Sequence, residues 1–528
     1  MAQVAKVRKF LVELELSAGV WTDVTADTRI HTPISFNYGI FGHGPLDRVA
    51  GDGTMQFALD NSESNSGATV GYYAPGHASA RAGFELGISA RITILFGVYY
   101  DVELYDVFTY GTHWVKFVGR ITGIRVDADP KGPRTTVCEA KDFMYLAGQH
   151  KLSLVAVKTS RRSDLLVGDI LDDMASVDQP TTRSLGTGQE TFTYALDDLK
   201  DEKSTVLAAI QKATVSEFGY AYPKGAEDGS GDVFVFEGRH TRVGDVVDYD
   251  LTAEPVSRIG VERPLDKVYN RVRTTAYPRK VGGAAERVYN LDHDLEIAAG
   301  VTQVIEARYV DPDNPDTRVS AQSLITPTGT DFEFGSAVGD GHDESHANLG
   351  IVMTAGANSA SLSLTNNGGS TGYVNKMQIR GTIIRLYEPV LIVANDATSQ
   401  SAYGLREINL VLPYQNNPLV ADDFGDLVLS FYKNPRNYVI EYSVAASKSV
   451  ALGNAAVRVE PGDRITIPAN TPTGVSSGDY YVHGLKVNAV PPDILLVTWA
   501  LVLASAADYW LLGVVSGSEL GTQTILGV

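Results

Sequence analysis

A single cysteine, Cys138, stands in 528 residues. One thiol closes no intrachain disulfide and builds no cysteine-based metal site. Methionine is scarce at 6 and tryptophan at 4. Positive charge is short as well: 44 Lys and Arg face 63 Asp and Glu, a net charge of −19 at pH 7. Sequence-independent grip on nucleic acid needs clustered cations that displace counterions. The densest basic clusters are Arg161-Arg162 and the stretch Arg271, Arg273, Arg279, Lys280. They are too short to offset the acidic whole, which excludes a DNA-wrapping or RNA-binding protein. Long apolar runs are missing too. The most apolar stretch, 494–512, is interrupted by Asp508 and small residues. It falls short of the ~20 apolar residues of a membrane span. The start is broken by Lys6, Arg8, Lys9, Glu13 and Glu15, so no apolar signal region is expected. These absences lead us to expect a soluble protein made in a reducing cytoplasm, with Cys138 a small buried hydrophobe.

What is present suits turn-rich β structure. Hydrophobic residues make up 44% and charged residues 20%, which excludes disorder over most of the chain. Glycine is abundant at 51, and Tyr at 26 exceeds Phe at 17, as in half-exposed sheet faces joined by turns. The length fits about three or four domains. Alternation predicts antiparallel strands through 1–150, at 12–16, 54–59, 90–105, 114–126 and 135–140. Residues 151–255 read as a small α/β domain. Apolar residues at 166, 167, 170, 171 and 174 behind Ser163 predict a helix capped by that serine. A second helix is expected over 204–213, then a hairpin of 218–222 with 232–237.

Residues 256–395 return to β, with strands at 268–275, 286–291, 302–309, 359–365 and 379–387. The loop 327–350 is rich in Gly, Asp, Ser and His and is expected to be exposed. Residues 396–528 carry a helix at 418–431 and strands at 438–444, 456–460, 464–467, 480–488 and 494–504. Same-parity residues of a strand share a face. Leu495, Val497, Trp499, Leu501 and Leu503 therefore form the apolar face of the last strand, and Trp510 is expected nearer the surface.

The chemical motifs are thin. Gly474-Val475-Ser476-Ser477-Gly478 matches G-x-S-x-G, but a nucleophile elbow needs a strand before it and a helix after it. A Pro-Thr loop and a strand flank this one, so a hairpin loop is expected. Asp311, Asp313 and Asp316 are spaced as calcium ligands could be, without the EF-hand glycine and glutamate. His342 and His346 with Asp340, Asp343 and Glu344 could approach zinc, but no helix holds the histidines on one face. The acid pairs Asp172-Asp173 and Asp422-Asp423 are expected on helices, about 100° apart and solvated. No P-loop and no G-x-G-x-x-G follows a strand. No catalytic, cofactor-binding or metal residue is assigned, no cofactor is expected, and the chain reads as a non-enzyme.

Several patterns then occur in a family's order. They begin with Trp21-Thr22-Asp23-Val24-Thr25 and Phe57-Ala58-Leu59-Asp60-Asn61. Phe117-Val118-Gly119-Arg120-Ile121 follows, and then Thr136-Val137-Cys138-Glu139-Ala140-Lys141-Asp142. Val268-Tyr269-Asn270-Arg271-Val272 and Tyr403-Gly404-Leu405-Arg406-Glu407 come next. Pro461-Gly462-Asp463-Arg464-Ile465-Thr466-Ile467 and Tyr480-Tyr481-Val482-His483-Gly484-Leu485 close the series, before Ser518-Glu519-Leu520-Gly521 and Leu526-Gly527. The series resembles the tail-tip or baseplate hub proteins of long-tailed bacteriophages and prophages. The resemblance implies a mainly β, multidomain protein with minor α content. Hub-type β-barrels would lie at 1–150 and at either 256–395 or 434–528, the latter within a domain of helix plus barrel at 396–528, with the small α/β domain between and a β-sandwich-like insertion in 276–380.

The resemblance also implies a homotrimeric ring that joins the tail tube to the tip and forms part of the DNA ejection path. DNA would pass the channel without specific binding. Partners would be a distal tail protein, the tube and tip fibre proteins, with no direct membrane insertion. The location would be the virion, after assembly in the host cytoplasm. The rival expectation is a carbohydrate-binding tail fibre or adhesin that uses Tyr72-Tyr73 or Tyr99-Tyr100 as stacking platforms.

Overall fold

The computed structural model describes residues 6–29, 32–97, 112–128, 134–152, 154–197, 204–226, 231–338, 348–490 and 494–504, with the backbone of 508–510 and 524–526. It is mainly β, with several sheets and four hydrophobic cores. The first segment supplies β1 (Lys6–Ser17), β2 (Val20–Asp23), β3 (Ile34–Gly39), β4 (Thr54–Asp60), β5 (Ser89–Gly97), β6 (Thr112–Ala128) and β7 (Arg134–Lys141). Their sheet order is β3-β4-β7-β6-β5-β1-β2. Phe10, Val12 and Leu14 of β1 alternate into the core, the periodicity that the apolar-acidic pattern of 12–16 predicts. Cys138 lies in β7 with no exposed surface. Burial pushes its thiol up to about 12, so it behaves as a hydrophobe. The expected strand at 90–105 is described only as far as Gly97, and Tyr99-Tyr100 lie outside the described residues.

The sheet does not stop at the end of the first segment. β3 pairs antiparallel with Gly478–Val490, from Ile34 opposite Ala489 to Gly39 opposite Gly484. The order continues through Ile494–Leu503, Tyr438–Ala445 and Arg258–Glu262, giving a 13-stranded sheet. Arg464–Ile467 adds to Gly478–Val490, and Tyr249–Asp250 adds to Arg464–Ile467. One core holds Phe36, Phe57 and Ile92 together with Val444, Leu485 and Trp499. Gly39 explains how close the two pieces come. A Cβ there would lie 2.5 Å from the His483 carbonyl oxygen and 2.7 Å from Gly484 Cα, and its φ is +97°. Only glycine suits both constraints.

Residues 143–237 build the second core. The helix Phe143–Gln149 is capped by Asp142, whose side chain accepts from the Met144 N–H. The helix Ser163–Leu171 differs in one detail from expectation. Arg162 is the capping residue, and Ser163 is already helical, buried, and donates to Glu217 Oε2 at 2.8 Å. The next helix spans Val206–Glu217 behind Thr205. Tyr220–Lys224 and Val233–Glu237 form the expected hairpin.

The third core lies within 288–383. The long strand Gly372–Leu386 gathers Arg279–Val281, Glu286–Asn290, Leu295–Ile297, Ser320–Ile325 and Phe332–Gly335. A second sheet, ordered Thr302–Arg308, Ser359–Asn366, Leu349–Ala355, covers it. The expected exposed loop at 327–350 is therefore partly wrong. Phe332 and Phe334 are 5% and 6% exposed in a strand paired with Gly372–Leu386, and Leu349 opens another strand. The glycines and acids around them hid a period-two aromatic pattern. Residues 339–347, with His342 and His346, lie outside the described residues.

The fourth core is one helix on a three-stranded sheet. Arg271–Ala276 lies between Val390–Asn395 and Glu407–Leu412, and Pro418–Tyr432 packs across it behind the cap Asn417. Residues 456–460 do not form the strand expected there. Ser449 caps a helix over Val450–Arg458, which buries Leu452, Ala455 and Ala456 at helical spacing. The run of small residues packs a helix tightly against the large sheet. In the strand Ile494–Leu503, Leu495, Val497, Trp499 and Leu501 are at most 1% exposed, while Ile494 and Leu496 are 50% and 42% exposed. Leu503, placed on the inner face by parity, is 51% exposed because the strand runs out beyond the core. The side chain of Trp510 lies outside the described residues.

Candidate functional site

A concentration of buried charge lies where the first, second and last segments meet. Glu460 is 2% exposed and follows the helix Val450–Arg458. Its Oε1 accepts from Lys116 Nζ and, at 2.9 Å, from Trp114 Nε1, both on β6. Its Oε2 accepts from Tyr38 Oη on β3 at 2.7 Å and from the Gly225 N–H at 3.1 Å. Lys116 is 1% exposed and donates also to the carbonyls of Val457 and Val459, at 2.9 and 3.3 Å. Every hydrogen of that ammonium has an acceptor. Burial and the Glu460 carboxylate hold the Tyr38 hydroxyl protonated far above its usual range. One carboxylate thus ties together two strands of the first segment, the α/β hairpin and the start of the last segment.

A second cluster lies beside it. Glu237 accepts from Tyr222 Oη at 2.6 Å and Arg242 Nε at 2.7 Å. Arg242 Nη1 meets His483 Nε2 at 2.7 Å. A guanidinium can only donate, so that imidazole nitrogen accepts and its proton sits on Nδ1. Burial, with Arg242, His43 and Arg48 nearby, keeps His483 neutral, well below its usual range. The Arg242 guanidinium lies 4.0 Å from the Tyr220 ring centre and 4.7 Å from that of Tyr481.

These groups are consumed by one another. A small cavity of about 10 Å³ beside them is lined by Tyr38, Lys116, Asp142, Lys224, Gly225 and Asp232. It has room for about one water molecule. An open depression of about 380 Å³ lies elsewhere, over Thr328, Phe332, Leu349 and Ile351. Among the described residues no group of three or more His, Cys, Asp or Glu is placed to hold a metal ion. Also among them, no helix is long and apolar enough to cross a membrane.

Asp142 gives this junction a pH dependence. Burial pushes its carboxyl up to about 7, with Asp52 and Asp232 adding to the rise and the N–H groups of Gly53 and Met144 opposing it. The unfolded chain loses this proton near pH ~3.9. Stability from the retained proton is complete below that value and is lost as pH rises towards about 7. Asp142→Asn keeps the helix cap and removes the charge. It is expected to raise the melting temperature at pH 8 and to leave it nearly unchanged at pH 4. Equal shifts at both pH values would refute the titration of Asp142.

The motif residues assemble in pairs. Arg120 and Ile121 stand opposite Lys141 and Ala140, and a Cβ at Gly119 would lie 2.4 Å from the Lys141 carbonyl oxygen. Asn270, fully buried, donates to the Gly404 carbonyl at 2.7 Å and accepts from the Arg406 N–H at 2.8 Å. Two motifs far apart in sequence therefore lock together through one side chain. Arg464–Ile467 pairs with Tyr480–Tyr481 and its neighbours.

The discounted motifs fall elsewhere. Ser476 is exposed in a loop that enters the strand Gly478–Val490 rather than a helix. Asp311 is held by Arg385 at 2.7 and 2.8 Å, and the exposed Asp313 reaches the same guanidinium at 3.4 Å, so an arginine of the chain takes the place a cation would have between them. Asp172 caps its helix and pairs with Arg183 at 2.6 Å. Tyr73 is fully buried and donates to Asp27, so Tyr72-Tyr73 offers no open stacking platform. Sequence reasoning missed Lys116 and Glu460 altogether. The one signal was a lysine at an inward-facing position, two residues from Trp114 on β6.

No family model matches the chain, and no curated protein matches it. Solved structures similar to it include the tail protein from Neisseria meningitidis MC58, at TM-score 0.46 and 9% identity, over 93% of this chain and 96% of that one. The 43 kDa tail protein of prophage MuSo2 from Shewanella oneidensis is similar at TM-score 0.45 and 9% identity, over 94% and 98%. Prophage tail protein gp18 from Listeria monocytogenes EGD-e is similar at TM-score 0.40 and 8% identity, over 94% and 95%.

Proposed function

We propose that the chain is a structural component of a long-tailed bacteriophage or prophage tail, a tip or baseplate hub whose three copies form a ring. The observation that carries this reading is the pairing of β3 with Gly478–Val490. It fuses the first and last β segments into one sheet over one core. The reading takes 1–150 and the β part of 396–528 as the two hub barrels of each chain. Held in one orientation by Glu460 and Lys116, two barrels per chain let three chains present six. That is the match needed between a three-fold tip and a six-fold tube. The α/β domain, 151–255, packs beneath the junction. The β domain within 256–395, with a core of its own, decorates the outside.

In this role the chain is a virion protein assembled in the host cytoplasm. It contacts the tube, a distal tail protein and tip fibre proteins, and lets DNA pass without specific binding. It performs no catalysis. Light scattering of the purified chain should give a trimer, and low-resolution images should show a ring with a central hole. An elongated rod would overturn the hub reading in favour of a fibre. Turnover of peptidoglycan that disappears in Ser476→Ala would overturn the non-enzymatic role.

A further inference from the structure

The basic stretch Arg271, Arg273, Arg279, Lys280 is split by the fold. Arg279 is buried against Asp197 at 2.8 Å, the two side chains 3% and 2% exposed. Arg271 and Arg273 instead point outward from the three-stranded sheet, 35% and 42% exposed. Strand register arranges that open face in rows. Asn395, Arg271 and Glu407 form the first, and Val393, Arg273 and Asn409 the second. Leu391, Thr275 and Val411 form the third. Leu391, Val393 and Val411 are 48%, 43% and 45% exposed. The opposite face is closed, with Val272, Thr274 and Ala276 buried under Ala421, Phe424 and Val428. The open face therefore presents three aliphatic side chains beside two arginines that share one glutamate. Clustered exposed aliphatics mark contact surfaces.

The covering helix carries the complement on its outer side. Leu419 is 72% exposed. Asp422 and Asp426 follow it at helical spacing and are exposed. Among the described residues neither has a cation within ion-pair distance. Asp423 beside them titrates high, through burial first and then through Asp422 and Asp426. The stripe is a concentration of like charge, which Arg239 relieves only in part and at Asp423.

We propose that the sheet face of one copy receives the helix face of the next, with Arg271 and Arg273 meeting Asp422 and Asp426 and the aliphatic row covering Leu419. This rests on the ring reading above and names the surfaces that make the ring. The two faces are different surfaces of one helix-on-sheet unit, so the contact is head-to-tail, which closes a ring when the rotation from copy to copy closes and otherwise extends a filament. A two-fold contact of sheet on sheet would set arginine against arginine. Opposed charges also fix register and exclude the wrong pairing.

The test is a charge swap in the full chain, read by sedimentation velocity, with melting temperature as a check on folding. Arg273→Glu alone and Asp422→Arg alone should each weaken self-association by about tenfold or more. The double variant Arg273→Glu/Asp422→Arg restores an opposed pair at every contact and should recover association. Single variants that assemble like the wild type would overturn this contact and leave the ring reading standing. So would a double variant no better than the singles. A wild-type chain that never associates would instead overturn the ring itself, and this contact with it.

Discussion

Replacing Glu460 with alanine is expected to destabilise the folded chain by about 3–5 kcal/mol, the range for breaking a buried ion pair from one side. The carboxylate is 2% exposed and takes four donors, from Lys116, Trp114, Tyr38 and Gly225. Its removal leaves an ammonium with two carbonyl acceptors and strands three further donors, Tyr38 and Gly225 buried and Trp114 partly so, each buried one costing about 1–3 kcal/mol unless water reaches it. Lys116→Met should cost less, because Glu460 keeps three donors. The double replacement with apolar residues of similar volume should recover part of the loss. Urea unfolding followed by tryptophan fluorescence measures all three. Loss should also show as earlier proteolysis between the first and last segments, since those are what the pair ties together. A Glu460→Ala chain within about 1 kcal/mol of the wild type would mean that strand pairing alone holds the junction.

That junction shows where sequence pattern ends and tertiary context begins. The strands around it were legible. β4, β6 and β7 alternate apolar and polar residues, and a half-buried strand must do so. The helix Pro418–Tyr432 announced itself by Pro418 near its start and apolar residues at helical spacing. Lys116 and Glu460 were not legible, because each alone reads as a surface charge. Only the fold brings them together across 344 residues. Asn270 is a milder case. It sat inside a recognised motif, yet nothing in the sequence said that its amide would bind the backbone of Gly404 and Arg406. Local errors have local causes. Small residues at 455–456 suit either a strand or a tightly packed helix, and contact with the large sheet decides for the helix. Ser163 has the chemistry of a cap, but the buried Glu217 carboxylate claims its hydroxyl.

How the two later β segments join the rest of the chain was likewise beyond local pattern. Residues 256–395 and 396–528 both alternate like strands. What separates them is pairing. The strand Gly478–Val490 joins β3, whereas the strands of 279–386 close on a core of their own. Pairing partners are set by the whole chain, and periodicity says only which face of a strand is wet. The same limit applies to the open sheet face of Arg271, Leu391 and Val411. Its residues come from three strands spread over 141 positions, and their rows appear only once register is known.

Trp499→Ala should lower the unfolding free energy by about 3–5 kcal/mol, as large-to-small changes of aromatic core residues do. Trp499 has no exposed surface and stacks on Tyr442, with ring centres 6.1 Å apart and planes 14° apart. It also faces Leu485 across the strand pair Gly478–Val490 and Ile494–Leu503. The void left by alanine would open inside the core shared by the first and last segments, which cannot collapse without moving one sheet half against the other. Trp499→Phe tests the cause. Phenylalanine keeps an aromatic face for Tyr442 and drops an indole N–H that has no hydrogen-bond partner in the structure. A hydrophobic replacement of nearby size should cost less than about 1.5 kcal/mol. Ile494→Ala, on the wet face of the same strand at 50% exposure, should stay within about 0.5 kcal/mol of the wild type. Thermal melts of the three variants should therefore rank Trp499→Ala far below Trp499→Phe, with Ile494→Ala nearly native. Equal losses at 494 and 499 would mean that the strand does not divide into a wet and a buried face.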